Sequence, residues 1–256
     1  MSLLDSLEVP GDMPLMATIC GEAGSGKTSL ASTFPKPVVI QVEKGLQSIP
    51  ESERPQATPL INSSEEFYEY LGALITDDHS FETCIIDSIT QLDVLFQREI
   101  LEEAGKPNMN EAFGGYGKAW GRLATMHDTV RQWAESLRTD RGMHVLFIAH
   151  TIIENMAMPD LDDYTRYGIN LVKNKQGDCQ KPYVDNVDLV GFVKLKTRLQ
   201  SKENSNRSKA ISDGSRLVEC SANPANVSKN RFGIEKPLPF VKGENPFIEY
   251  VPSLQA

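Results

Sequence analysis

Four stretches of the sequence carry residue types at spacings that can do chemistry on a phosphoanhydride. The first, Gly21-Glu22-Ala23-Gly24-Ser25-Gly26-Lys27-Thr28-Ser29, contains the full G-x-x-x-x-G-K-[ST] pattern. Its glycines let the backbone wrap an anion with the N–H groups turned inward, and the helix that follows adds the positive end of its dipole. Lys27 would then sit against the outer phosphates of ATP, and the Thr28 hydroxyl would hold Mg²⁺. The second is Glu43, just after the apolar run Pro37-Val38-Val39-Ile40-Gln41-Val42. A carboxylate at the carboxyl end of a parallel strand can orient or deprotonate a water beside the terminal phosphate, although a solvated loop carboxylate is the alternative. The third is Asp87, closing the apolar run 81–86; it can accept hydrogen bonds from waters on Mg²⁺. The fourth is His150, at the end of Met143-His144-Val145-Leu146-Phe147-Ile148-Ala149. It can sense a terminal phosphate from there, or be a satisfied core histidine.

These side chains need strands to hold them. Leu15-Met16-Ala17-Thr18-Ile19-Cys20 predicts a buried strand leading into the loop, and residues 29–34 a short helix stopped by Pro35. Ser63, three residues before Glu66, marks a helix start in the capping-box arrangement, with Phe67, Tyr70, Leu71, Leu74 and Ile75 as its buried face. Helices are also predicted over 89–104 and, for about six turns, along the stripe Trp120, Leu123, Met126, Val130, Trp133 and Leu137. Residues 57–61 could add a short strand, and Leu171–Asn186 a polar helix interrupted by Pro182. Residues 105–118 are too Gly-rich for regular structure, and 152–170 read as a long irregular segment. Two further strands, 187–196 and 215–220, form an antiparallel edge joined by a polar loop. The predicted fold is therefore α/β, a P-loop NTPase core with a mostly parallel central sheet flanked by helices and an antiparallel C-terminal edge. Its expected limits are a segment 1–13, a core 14–223 and a C-terminal segment 224–256 that packs on the core or on a neighbouring subunit.

The 256 residues carry a net charge of −9, so any nucleic-acid contact has to be local. Between Lys194 and Lys209 the basic residues Lys194, Lys196, Arg198, Lys202, Arg207 and Lys209 face a single acid, Glu203; they form either a DNA contact or a solvated hairpin tip. Tyr116 and Lys118 in the Gly-rich loop offer the mix suited to stacking on and pairing with a single strand, or they belong to a plain connector. Cys20, Cys84, Cys179 and Cys220 are too scattered for a zinc site or a disulfide framework. The N-terminus lacks a basic region followed by an apolar one, and no run approaches bilayer length, so a soluble, cytoplasmic chain with no membrane contact is expected.

The order of these features resembles the RecA/RadA recombinase core. The likeness spans most of the chain: phosphate loop, strand ending in Glu43, helix 63–76, strand ending in Asp87-Ser88, strand ending in His150-Thr151, loop, and a late Lys229-Asn230-Arg231-Phe232-Gly233-Ile234. It looks closest to the compact phage-encoded members, core-only single-strand annealing proteins. The resemblance implies an ATPase whose Glu43 activates water and whose His150 is a sensor ordering the DNA loop that follows it. That loop, 151–168, would be the second DNA loop and bring Tyr164 and Arg166 to single-stranded DNA, and 105–118 would be the first. Lys229 and Arg231 would reach the nucleotide of the neighbouring subunit in a filament or ring, and a single-strand DNA-binding protein would be a further partner. The residues by themselves also admit a P-loop ATPase, or a nucleotide-gated interaction module, that does not bind nucleic acid.

Overall fold

A computed structural model describes residues 3–9, 11–159, 162–201 and 208–255 of the chain. Among them ten strands form one sheet, and its middle is parallel. Strand β1 (Met16–Gly21) is flanked by β5 (His144–Met156) and β7 (Leu189–Ser201); beyond β5 come β4 (Thr83–Asp87), β2 (Pro37–Gln41) and the two-residue edge β3 (Gln56–Ala57). All of these neighbours run parallel. On the other flank β8 (Ser208–Glu219) and then β10 (Leu238–Phe240) add antiparallel, while β9 (Lys229–Asn230) pairs with β7 and β6 (Tyr164–Ile169) with the distal half of β5. The predicted α/β class, with a parallel centre and an antiparallel edge, is the observed one.

Period-two alternation divides β1 between two cores. Met16 and Cys20 face a layer built from α2 (Ser64–Thr76), α3 (Ile89–Ala104) and α4 (Lys118–Asp140), with Phe67, Leu71, Leu92, Phe96, Leu123 and Val130 at its heart. Leu15, Ala17 and Ile19 face the other layer, where Leu30 and Ala31 of α1 (Lys27–Ala31) pack with Leu46, Ile49, Phe240, Phe247 and Val251. The C-terminal segment thus contributes to one core, through Ile234, Leu238, Phe240, Phe247 and Val251. Helix starts follow the sequence: Ser63 accepts the Glu66 N–H at 3.2 Å, and the Glu66 carboxylate reaches back to the Asn62 N–H at 3.0 Å. Ser88 caps α3 through the Gln91 N–H, and Gly105, in the left-handed region, ends it. Under α3 and α4 a buried relay ties three elements together, with His127 hydrogen-bonded to Asp93 through Nε2 (2.9 Å) and to Tyr183 through Nδ1 (2.8 Å).

Three expectations about segments need correction. Residues 152–156 and 164–169 are not irregular: β5 continues to Met156 and pairs with β6 from Thr151↔Ile169 to Met156↔Tyr164, an antiparallel ribbon. Residues 197–201 and 208–214 are strand as well, since β7 and β8 pair as far as Ser201↔Ser208. Both ribbons project beyond the buried sheet, so polar side chains can occupy either face and the alternation that signals a half-buried strand is lost. The helix expected over 171–186 is only the single turn α5 (Lys181–Val184). Pro182 does not interrupt it but sits in its first turn, where a missing N–H costs nothing, and the Asp178 carboxylate accepts the N–H groups of Gln180 and Lys181. The predicted strand at 57–61 shrinks to β3, the predicted helices 89–104 and 120–137 are present as α3 and α4, and both tryptophans pack against the core.

The amino end of β5 carries a pH-sensitive contact. His144 Nδ1 accepts the Leu15 N–H at 2.9 Å, which needs the neutral ring. Burial lowers the pKa of His144, against Glu82 and together with Arg138. An unfolded histidine takes up its proton near pH 6.5, before this folded one does, so stability falls as pH drops below about 6.5. Substituting His144→Asn, which keeps an acceptor and removes the titration, should reduce the loss of urea midpoint between neutral pH and about pH 5.5. Equal losses in variant and parent would exclude the contact as the cause.

Candidate nucleotide site

The carboxyl ends of β2, β4, β5 and β1 stand side by side, and the sheet register sets their side chains at matching heights. Gln41, Asp87 and Ile148 form one row, and Gly21 pairs with His150. Glu43 and His150 each lie two residues beyond that row, and the Val42 and Glu43 N–H groups both donate to the Asp87 carbonyl, curling the end of β2 over β4. The resulting cleft, of about 550 Å³, is lined by the phosphate loop, Glu43, Lys44, Gly45, Asp87 and His150.

Gly21 is required by close approach, because a Cβ there would lie 2.4 Å from the Val193 carbonyl oxygen. Gly26, at φ 100°, turns the chain into α1 in a conformation that L side chains rarely adopt. Lys27 is buried and folds back on the loop, its Nζ donating to the carbonyls of Gly21 (3.1 Å) and Glu22 (3.0 Å). Burial lowers its pKa, while Asp87, Glu43 and Cys20 work to hold the charge. The Thr28 hydroxyl donates to Asp87 Oδ2 at 2.8 Å. Asp87, 2% exposed, is pushed up to about 6 by burial and by the Glu43 charge, against the Thr28 hydrogen bond, Lys27 and His150. A buried carboxylate short of compensating charge, in contact with a hydroxyl, is a donor set that suits a hard divalent cation; Thr28 and Asp87 would hold Mg²⁺.

His150 Nε2 and Glu43 Oε1 are 2.9 Å apart. Burial by itself would raise the Glu43 carboxyl, but the hydrogen bond and charge of His150, a hydrogen bond from Ser88 and the Lys27 charge outweigh it and lower the pKa. Glu43 is therefore ionised over the neutral range and able to accept a proton. The His150 N–H donates to the Thr90 hydroxyl, and its carbonyl accepts from Asn170. The residue joins the cleft to the start of α3 and to the root of the β5–β6 ribbon.

The other candidates are dispersed. Tyr116 is 96% exposed on a loop whose Gly117 packs beside Gln176, and Lys118, the first residue of α4, is exposed. Tyr164 and Arg166 are half-buried on β6, with Arg166 Nε 3.4 Å from Glu154. Lys194 pairs with Glu219, and Lys196 is exposed. The side chains of Arg198 and Lys209, and all of Lys202, Glu203 and Arg207, lie outside the described residues. Lys229 Nζ donates to the Val184 and Asp185 carbonyls, and Arg231 pairs with Asp188, whose own N–H bonds Met16 at the amino end of β1. Both are at the far end of that strand from their own phosphate loop. Sequence reasoning missed Arg216, Phe240 and Lys242, which also line the cleft. The available signal was that Arg216 shares a strand face with the buried Val218 and Cys220.

The fold and the cleft define a P-loop NTPase core. A family model described as an AAA domain matches residues 13–232, and the chain belongs to that family, that of AAA-type P-loop ATPases. Comparison with curated proteins found no match. Among the described residues no helix is long and apolar enough to cross a membrane.

Proposed function

We propose that this chain is an ATP-dependent single-stranded DNA-binding protein of phage homologous recombination, acting in the host cytoplasm, that promotes single-strand annealing or strand pairing. The observation that carries the reading is the continuity of β5, one strand that holds His150 against Glu43 and runs on into the β5–β6 ribbon. Mg²⁺, which Thr28 and Asp87 would hold, would supply charge neutralisation on the phosphates. Lys27 leaves the Gly21 and Glu22 carbonyls for the outer phosphate oxygens. Glu43, ionised, takes the proton of the attacking water at Oε1. That role competes with its hydrogen bond to His150, so the presence or loss of the terminal phosphate reaches the ribbon root through one side chain. Tyr164 and Arg166 on the ribbon, Tyr116 and Lys118 on the Gly-rich loop, and Lys194, Lys196 and Arg198 on β7 supply aromatic and cationic contacts to the strand. Subunits assemble as a filament or ring in which Lys229 and Arg231 exchange their own-chain partners for a neighbour's nucleotide, and a single-strand DNA-binding protein is a further partner.

The test is fluorescence anisotropy of a labelled single-stranded oligonucleotide with and without Mg-ATP. Binding should require ATP and disappear in Lys27→Ala. A second reading draws on Ile152 and Ile153, 48% and 64% exposed on the ribbon. Exposed apolar side chains, one on each face of the ribbon, suit a protein surface, which would make the chain a nucleotide-gated interaction module. Absence of oligonucleotide binding in both nucleotide states favours that reading and ends the first.

A further inference from the structure

The phosphate end of the cleft accounts for Lys27, Thr28, Glu43, Asp87 and His150. On the opposite flank of β1 the cleft is closed by residues of the C-terminal edge. Phe240 of β10 stands across from Arg216 of β8 in antiparallel register. Both press on the loop at Gly26, where a Cβ would lie 3.1 Å from Arg216 Nε and 3.3 Å from Phe240 Cε1. Arg216 Nε donates to the Ser25 carbonyl at 2.9 Å. Phe240 is 8% exposed; most of its ring is anchored in the core beside Leu30, and what is exposed lines the cleft. Lys242, two residues on, reaches Glu53 at 3.4 Å, so the C-terminal segment and the stretch after β2 meet at the cleft mouth.

A triphosphate whose terminal phosphate points at Glu43 and His150 must send its nucleoside the other way along the loop, past Gly26. We propose that Phe240 is the nucleobase platform of this cleft, that Arg216 is the positioning residue holding the phosphate loop beneath it, and that the site selects purine nucleotides. The proposal rests on the cleft being a nucleotide site. Among the described residues Phe240 is the one phenylalanine, tyrosine or tryptophan lining it, and the other ring there, His150, is engaged with Glu43 at the phosphate end. An anchored ring gives up little conformational freedom on stacking, and a purine covers more of it than a pyrimidine does. A ring reads the size of the base rather than its exocyclic groups, so ATP and GTP should bind alike and CTP more weakly.

Calorimetric titration of the full chain with ATP, GTP, CTP and inorganic tripolyphosphate, each with Mg²⁺, tests this on Phe240→Leu, which keeps an apolar side chain in the core. ATP and GTP affinity should fall about tenfold, tripolyphosphate affinity should stay unchanged, and Phe240→Tyr should behave as the parent. Unchanged ATP binding, or equal losses for ATP and tripolyphosphate, overturns the platform. If the parent binds tripolyphosphate as tightly as ATP, the platform fails while the phosphate site stands. If the parent binds neither, the nucleotide reading fails and takes this one with it.

Discussion

Replacing Lys27 by alanine should raise the Kd for Mg-ATP at least a hundredfold, enough to abolish binding at micromolar nucleotide. The ammonium is the cation of the loop itself, and charge-assisted hydrogen bonds to phosphate oxygens in a half-closed cleft contribute about 3 kcal/mol, a factor of roughly a hundred. Part of that contact is prepaid in the free protein. Lys27 already lies under the cleft floor, with its charge held by Asp87, Glu43 and Cys20, so little rearrangement stands between its carbonyl partners and the phosphates. The substitution also leaves the Gly21 and Glu22 carbonyls without their donor, and a loss of stability of about 1 kcal/mol should accompany it. Calorimetric titration and thermal melting separate the two effects. An affinity within a few-fold of the parent would mean that the loop does not hold the triphosphate.

The second large effect is on turnover. Glu43→Gln should cut single-turnover ATP hydrolysis by about a hundredfold to a thousandfold and leave ATP affinity within about threefold, the signature of a group needed only as the water is activated. The amide is nearly isosteric and can keep a hydrogen bond to His150, so the ribbon root should hold its position while the proton acceptor is gone. The variant would then accumulate the ATP-bound form and, on the proposed function, retain single-stranded DNA. Hydrolysis at the parent rate would remove Glu43 from the mechanism. A fall in affinity matching the fall in rate would make it a ground-state contact with nucleotide.

The two halves of the cleft differed in how legible they were. Gly21 to Thr28, Glu43, Asp87 and His150 are each announced by a local pattern: an apolar run that must be a buried strand, ending in the polar residue that the strand delivers to the carboxyl edge. Parallel strands make such runs conspicuous because both of their faces are covered. Phe240 has no local pattern, and the alternation around Arg216 marks its strand face but not its place in the cleft. Their place at the cleft depends on a chain reversal that brings Arg216 to Ser25, 191 positions away in sequence. The β5–β6 ribbon was hidden for a different reason. Ile152 and Ile153 are adjacent, so the segment does not alternate, and the acids that follow suggest a solvated loop, while the pairing with β6 is set by backbone register. The distances of Lys229 and Arg231 from their own phosphate loop could not be inferred from order along the chain, since β9 folds back beside the start of β7.

One feature of β5 bears on how any signal leaves the cleft. From His144 to Met156 it is a single strand of thirteen residues, roughly 43 Å if fully extended. Its first half is clamped between β1 and β4, and its second half pairs with β6 alone and is held from the side by the Gln180 amide, which donates to Glu154. A beam fixed along half its length has no joint at which motion can be absorbed. His150 sits where the clamp ends, tied to Thr90 through its N–H, to Asn170 through its carbonyl and to Glu43 through its ring. A tilt there would be carried outward along the paired strands, so a shift at His150 would reach the ribbon's free end as the larger displacement.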